Sequence, residues 1–373
     1  MEGPRHHYAA LDGVRGFAAL SVMIYHLGHW LDVPGLAVNS GLAVDLFFCL
    51  SGYVLSLSYG QRMTGPKAMS TGQFFYRRLV RLMPVIIVAT VIGATYVIAR
   101  GQLNGAVIPH GALFVAVILA LTNLPYLDAP HAIGGPQVFP LNGPQYSLFL
   151  ELFINLFWWV TRRVGQRYLA AVLFVVCIPA LYVYGLGGDI PDTFWIGLPR
   201  VGASFFIGVA LYRFAPVFPS FLTRPYVFAL CMGGMVFLFF WPVEIPRGMV
   251  MIWIVLFSPL LVISGARVRL SPSLARLSLW GGEISYPLYA LHYPVFCWVN
   301  GLFQAMTHKR MPGVEMPLIG ILAVLVSFAV LKGIDEPVRA FLSRRRGHKG
   351  KPMVGPSYPV TGAAVSTSLR TER

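Results

Sequence analysis

The sequence predicts an all-α polytopic membrane protein of about ten transmembrane helices, with one further segment that is re-entrant or interfacial. Three observations carry this. Of 373 residues, 56% are hydrophobic and only 12% charged, against about 25% charged in soluble domains. Eleven apolar segments recur along the chain, most of them near the roughly 20 residues needed to cross the hydrocarbon core. The basic residues collect in short runs between those segments, the pattern of cytoplasmic loops. The net charge of +15 is accordingly read as membrane orientation, and no nucleic-acid partner is expected. Cys49, Cys177, Cys231 and Cys297 are scattered singly through apolar segments, without zinc or disulfide spacing. No metal and no tightly bound cofactor is expected.

The first apolar segment, Leu11 to Leu27, has no small-residue cleavage site behind it and reads as a retained span. The second covers Gly41 to Tyr59. Next comes a basic stretch containing Arg62, Lys67, Arg77, Arg78 and Arg81. Within it Ser70 to Pro84 reads as a short interfacial helix, with Phe75, Leu79 and Leu82 on one stripe. Further apolar segments follow at 82–99, 111–127, 145–161, 168–186, 195–212, 225–243, 248–266, 284–305 and 316–333. Basic loops at 62–81, 162–167, 213–224 and 267–276, and the basic tail from Arg339, put both termini in the cytoplasm. Parity allows two spans between the first two of these loops, where three segments stand, so 111–127 is assigned as the non-spanning one. A membrane domain is expected over 1–342, followed by a basic, disordered cytoplasmic tail at 343–373 that lacks the apolar content to fold.

Ionisable residues inside spans are costly and mark polar paths through the protein. The first segment holds Asp12, Arg15 and His26. Arg15 and His26 are eleven positions apart, which places them within about 20° of one helix face and about 16 Å apart along the axis. The imidazole of His26 suits a general base near neutral pH; a helix-packing histidine is the plain alternative. Arg15 needs an anionic partner, for which Asp12 one turn earlier is the nearest choice. Depth counting sets His26, Asp45 and Glu151 in the outer half, Arg15 near the inner side, His292 between, and Arg77, Arg78 and Arg81 at the inner interface. A cationic inner tier suits a phosphorylated cytoplasmic ligand, although anchoring to anionic lipid would use the same arginines. Arg200, near a span's outer end, is read as snorkelling to the interface.

Six stretches in order resemble the acyltransferase-3 family of membrane O-acyltransferases. They are LDGVRGFAAL…YH (Leu11 to His26), VDLFFCLSGYVL (Val44 to Leu55), FYRRLVRLMP (Phe75 to Pro84), YSLFLELF (Tyr146 to Phe153), ISYPLYALH (Ile284 to His292) and DEPVR (Asp335 to Arg339). The resemblance runs from Tyr8 to about Arg346. It implies transfer of an acyl group, often acetyl, from cytoplasmic acyl-CoA to a hydroxyl of a surface glycan or other acceptor, at a bacterial cytoplasmic (inner) membrane. It implies that Arg15 and His26, which match the family's arginine–ten residues–histidine motif, are essential. The family's Ser-Gly element falls on Ser51-Gly52 and its glutamate on Glu151. The family usually has Trp-Ser-Leu and a second acid near that glutamate; here Tyr146-Ser147-Leu148 and Leu152 stand instead. The resemblance is to the family's stand-alone form, and no appended hydrolase-like soluble domain is expected.

These readings combine into an expected site. His26, Arg15 and Glu151 are catalytic, with Asp12, Asp45, Ser51, Ser147 and His292 in support. Arg77, Arg78 and Arg81 bind the acyl-CoA donor, acetyl-CoA or another, and Glu151 or Asp45 orients the imidazole or the acceptor. Direct transfer and an acyl-histidine intermediate both remain open. A proton-coupled secondary transporter could use the same acids and histidines as a relay, but the inverted repeats common in such folds are not evident. A non-catalytic assembly factor would leave the Arg15–His26 alignment unexplained.

Overall fold

Glycines decide how close the helices come. In the computed structural model, which describes residues 8–65 and 68–345, α1 (Ala9–Trp30) lies parallel to the long α12 introduced below and meets it backbone to backbone. A Cβ added to Gly16 would come within 2.8 Å of Gly281 backbone atoms, and one on Gly282 within 2.5 Å of the Asp12 Cβ. Lipid offers no hydrophobic drive for helix pairing, so such small-residue crossings supply the packing. A second crossing joins α2 (Ala43–Tyr59) to the later α8, where Cβ atoms on Gly52 and Gly208 would strike the carbonyls of Phe205 and Cys49.

The remaining elements are α3 (Thr71–Leu103), α4 (His110–Leu121), α5 (Gln145–Val160), α6 (Gln166–Tyr184), the single turn α7 (Pro191–Phe194), α8 (Gly197–Phe214), α9 (Pro225–Phe239), α10 (Arg247–Ile252), α11 (Ser258–Gly265), α12 (Pro272–Thr307), α13 (Pro312–Val330) and α14 (Glu336–Arg345). One π turn, Trp253–Phe257, fuses α10 to α11, and another, Leu331–Asp335, fuses α13 to α14. No strand occurs among the described residues. Six helical stretches are long and apolar enough to cross a membrane: Ser40–Arg62, Thr71–Leu103, Gln166–Tyr184, Pro191–Phe214, Arg247–Gly265 and Pro312–Arg344. α1 and α12 have the length as well but carry polar residues. With 12 and 15 residues, α4 and α9 reach only about 18 and 22 Å, short of a hydrocarbon core of about 30 Å; α4 covers the segment expected not to span, and α9 most of the span expected at 225–243.

Two expectations need correcting. Ser70–Pro84 is not a separate interfacial helix but the start of the 33-residue α3. Its Ser70 cap makes a reciprocal pair with Gln73, and Pro84 is carried in the interior, as neighbouring helices allow in a membrane. Arg200 does not snorkel. It is buried, giving Nε to Asp45 Oδ1 at 3.0 Å and Nη2 to Asp45 Oδ2 at 2.7 Å and to the Gly41 carbonyl at 2.8 Å. Asp45 sits opposite it on α2, and a buried ion costs too much unless it is paired. Helix α14 extends through Arg345, and the tail expected at 343–373 lies outside the described residues from position 346 onward.

Helices α1, α3 and α12 run one way and α2, α5 and α8 the other, as the cross-contacts Tyr286–Leu82, Trp298–Ile92, Asp45–Arg200 and Arg78–Glu151 show. One end of the bundle therefore gathers Arg77, Arg78, Arg81, Arg162, Arg267 and Arg339; we call it the basic end. The glycine crossing makes an asymmetric prediction. Gly16→Ala should destabilise the protein by about 1–3 kcal/mol through overpacking. Gly281→Ala, whose Cβ would stand an ordinary 3.5 Å from Gly16 Cα, should be near neutral. Thermal melting of the two purified variants checks this; equal losses would contradict the packing account.

Candidate active site

Proline breaks in α12 shape the site. Pro294 has no N–H, so the Ala290 carbonyl loses its helical partner, and Asn142 Nδ2 donates to it at 3.0 Å. One proline lies on each side of His292, Pro287 and Pro294. The buried His292 faces α1, with its Nε2 2.8 Å from His26 Nδ1 and its Nδ1 3.1 Å from the Leu288 carbonyl. A carbonyl only accepts, so in the neutral ring His292 Nδ1 carries the hydrogen and Nε2 the lone pair. His26 Nδ1 must then donate to that lone pair, which leaves His26 Nε2 as an acceptor with no bonded partner among the described residues. The tautomers follow from the partners. Trp30 stacks on His26 at 4.9 Å between centroids and packs its edge on Tyr293 at 5.0 Å.

Depth counting therefore misplaced His292: it is level with His26, not between tiers. Neither Glu151 nor Asp45 touches the imidazole. Glu151 Oε1 accepts from Arg78 Nη2 at 2.9 Å and from Ser51 Oγ at 3.2 Å, joining α3, α5 and α2 nearer the basic end. Asp45 is saturated by Arg200 and by Ser204 Oγ at 3.1 Å. Ser147 is linked to the histidines through Tyr289: its Oγ lies 2.6 Å from the Tyr289 hydroxyl, and the Tyr289 ring meets His292 edge-on at 6.0 Å.

Two turns into α1, Arg15 Nη1 lies 3.4 Å from Asp12 Oδ1 and its Nη2 donates to Ser285 Oγ at 3.2 Å. Arg81 covers the Tyr286 ring at 5.6 Å. Arg77 makes no side-chain bond to a described residue. The structure thus brings Arg15 and Arg81 together around Ser285 and Tyr286, and His26, His292 and Ser147 together further along. Glu151, Ser51 and Arg78 form a third group, and Asp45 stands apart. Among the described residues no three His, Cys, Asp or Glu side chains are grouped as metal ligands.

The acyltransferase domain model matches residues 8–332. The chain belongs to the acyltransferase-3 family. Relatives include Protein 2 in picA locus of Rhizobium radiobacter, 33% identical over 174 residues that cover 44% of this chain and 86% of the relative. O-acetyltransferase OatA of Staphylococcus aureus is 24% identical over 383 aligned positions, covering 93% of this chain and 60% of OatA. The chain thus spans about three fifths of OatA's length. No solved structure matches.

The protein is therefore an acyltransferase, and the six family-like stretches can be placed: they lie on α1, α2, α3, α5, α12 and the turn into α14. Pairings across helices could not be read from this acyltransferase-3 sequence. His26 with His292 is separated by 266 positions and Asp45 with Arg200 by 155, and no local spacing encodes either. A further acid was missed altogether. Asp189, in the loop between α6 and α7, accepts from Val138 N at 2.7 Å through its backbone carbonyl. Its carboxylate lies beside Gln137 over Gly143, and Gln137 Oε1 in turn accepts from the Tyr293 hydroxyl at 3.3 Å.

Burial raises the Asp189 carboxyl above its ordinary value of 3.8. A raised folded-state value means that the folded protein holds the proton more tightly than the unfolded chain. The charge then costs stability, increasingly as pH climbs from about 4 through the raised value. Asp189→Asn should raise the melting temperature at pH 7.5, with the gain shrinking towards pH 4. A pH-independent difference would show that the charge is not its source.

Proposed function

We propose that this protein transfers an acyl group, acetyl in the first instance, from cytoplasmic acyl-CoA to a hydroxyl of a surface glycan, with His26 as general base. The observation that carries this is the chain Leu288 carbonyl–His292–His26, which leaves a lone pair on His26 Nε2. The basic end faces the cytoplasm, where positive loops belong, in a bacterial inner membrane. Arg15 and Arg81 receive donor phosphates, and the acceptor approaches from the opposite end, past Trp30, Tyr293 and the Asp189 loop. The relative OatA, an O-acetyltransferase by name, supports the choice of acetyl and of an oxygen acceptor.

In the reaction His26 Nε2 takes the acceptor's hydroxyl proton as its oxygen attacks the thioester carbonyl. The tetrahedral intermediate collapses, the carbon–sulfur bond breaks, and the imidazolium returns the proton to the departing thiolate. His292 holds His26 in the tautomer this requires and accepts its Nδ1 hydrogen bond as charge develops. Glu151, already paired with Arg78 and Ser51, has a positioning role between donor and reaction tiers.

The test is mass spectrometry of surface glycans from cells carrying wild-type or variant protein, reading increments of about 42 Da, one acetyl per nucleophile. His26→Ala should cut acetylation by at least about 100-fold at unchanged protein level. His292→Phe, which keeps a ring but removes Nε2, should also lower it strongly. Acetylation undiminished in His26→Ala would overturn the assignment.

A further inference from the structure

The donor reading above leaves DEPVR without a task, yet the fold goes to some trouble to place it. Pro337 lacks the N–H that would bond the Gly333 carbonyl, and its ring crowds that carbonyl. The π turn Leu331–Asp335 widens the helix at this point, and π turns of this kind recur at functional sites. The result buries Asp335 completely and turns Arg339, with its side chain 16% exposed, back onto it, Nη2 to Oδ2 at 3.0 Å. Tyr76 at the start of α3 donates to the Leu342 carbonyl at 3.1 Å, which fixes α14 against the basic end.

The outcome is a third guanidinium beside two already described. Arg15 and Arg339 are the like charges that bear on Arg81, with Asp335 the carboxylate that bears on it. Three guanidinium groups thus share this corner with two carboxylates, Asp12 and Asp335. The Asp335 pair is also loose: its contact falls within ion-pair distance, but neither Asp335 oxygen accepts a well-formed hydrogen bond from a described residue. The same guanidinium also gives Nε to the Asp335 backbone carbonyl at 3.4 Å; with only this long bond and the loose carboxylate contact, it keeps donors for a doubly charged ligand.

We propose that Arg339, with Arg15 and Arg81, binds the donor's diphosphate, and that Asp335 competes with that diphosphate for the Arg339 guanidinium. This rests on the acyl-CoA reading of the proposed function. The distance suits it. Arg15 to His26 is about 16 Å along α1. A pantetheine arm of about a dozen bonds, advancing about 3.8 Å per three bonds as an extended chain does, covers the same span. The diphosphate, not the 3′-phosphate, is therefore the group at this depth.

The experiment measures binding of three probes, CoA, dephospho-CoA and pantetheine, to the full chain in nanodiscs by calorimetry. Arg339→Gln should weaken CoA and dephospho-CoA alike by about tenfold, the loss of one charge-assisted contact, and leave pantetheine unchanged. Asp335→Asn should tighten both phosphorylated probes, because it frees the guanidinium and removes a negative charge. A merely structural pair predicts that both variants weaken binding together, and that result overturns the proposal; so does unchanged CoA affinity in Arg339→Gln. If Asp335→Asn does not fold, Arg339→Lys decides: it should recover affinity relative to Arg339→Gln, and equal weakness overturns the proposal. Wild-type protein that binds none of the three probes would instead defeat the acyl-CoA reading itself.

Discussion

The close contact of α1 with α12 is the constraint on which the rest depends. Glycine against glycine lets two backbones meet, and the pair then runs parallel for most of the length of α1. Parallel packing puts Arg15 opposite Ser285 and His26 opposite His292. Each polar contact alone would be a weak clamp between membrane helices, worth about 1 kcal/mol. Held by a crossing that only glycine permits, they become fixed in register. The prolines of α12 add the local looseness that lets His292 and the Ala290 carbonyl find partners off the helix ladder.

Charge placement follows from the same low-dielectric setting. Asp45 and Arg200 saturate each other in a fully buried bidentate pair, an arrangement that holds α2 to α8 and has no valence left for chemistry. Glu151 and Arg78 are paired but leave Arg78 Nε unbonded. At the basic end Arg15, Arg81 and Arg339 outnumber Asp12 and Asp335. Saturation thus falls off from the Asp45 pair to the arginine corner. An unbalanced cation within a membrane domain is expensive, so the corner that tolerates it is the one able to recruit an anion.

Much of this was legible in the sequence, for reasons that are local. Apolar length and basic loops exposed the helical membrane architecture, and the eleven-residue interval placed Arg15 and His26 on one face of one helix because helical period is a local property. Asp12 as the partner of Arg15 follows from the same period. What failed was everything that depends on which helix lies beside which. His292 was put at the wrong depth because counting from span ends ignores the extra turns of α12, which begins at Pro272, well before its apolar stretch. Arg200 looked like a snorkelling residue because Asp45 is 155 positions away. Ser70–Pro84 looked separate because proline normally ends a helix in water.

The two tiers share a single pair of helices, and that has a mechanical consequence. The separation between Arg15 and His26 is set by helical rise alone, and the separation between Ser285 and His292 by the rise of α12 between them. Neither depends on a loop or a hinge. Pro287 lies between Ser285 and His292, so the ladder of this ruler is interrupted on α12, next to the residue that fixes the His26 tautomer. Unbroken helical spacing on α1 thus faces a proline-flanked His292 on α12, where the helix ladder is already opened at the Ala290 carbonyl.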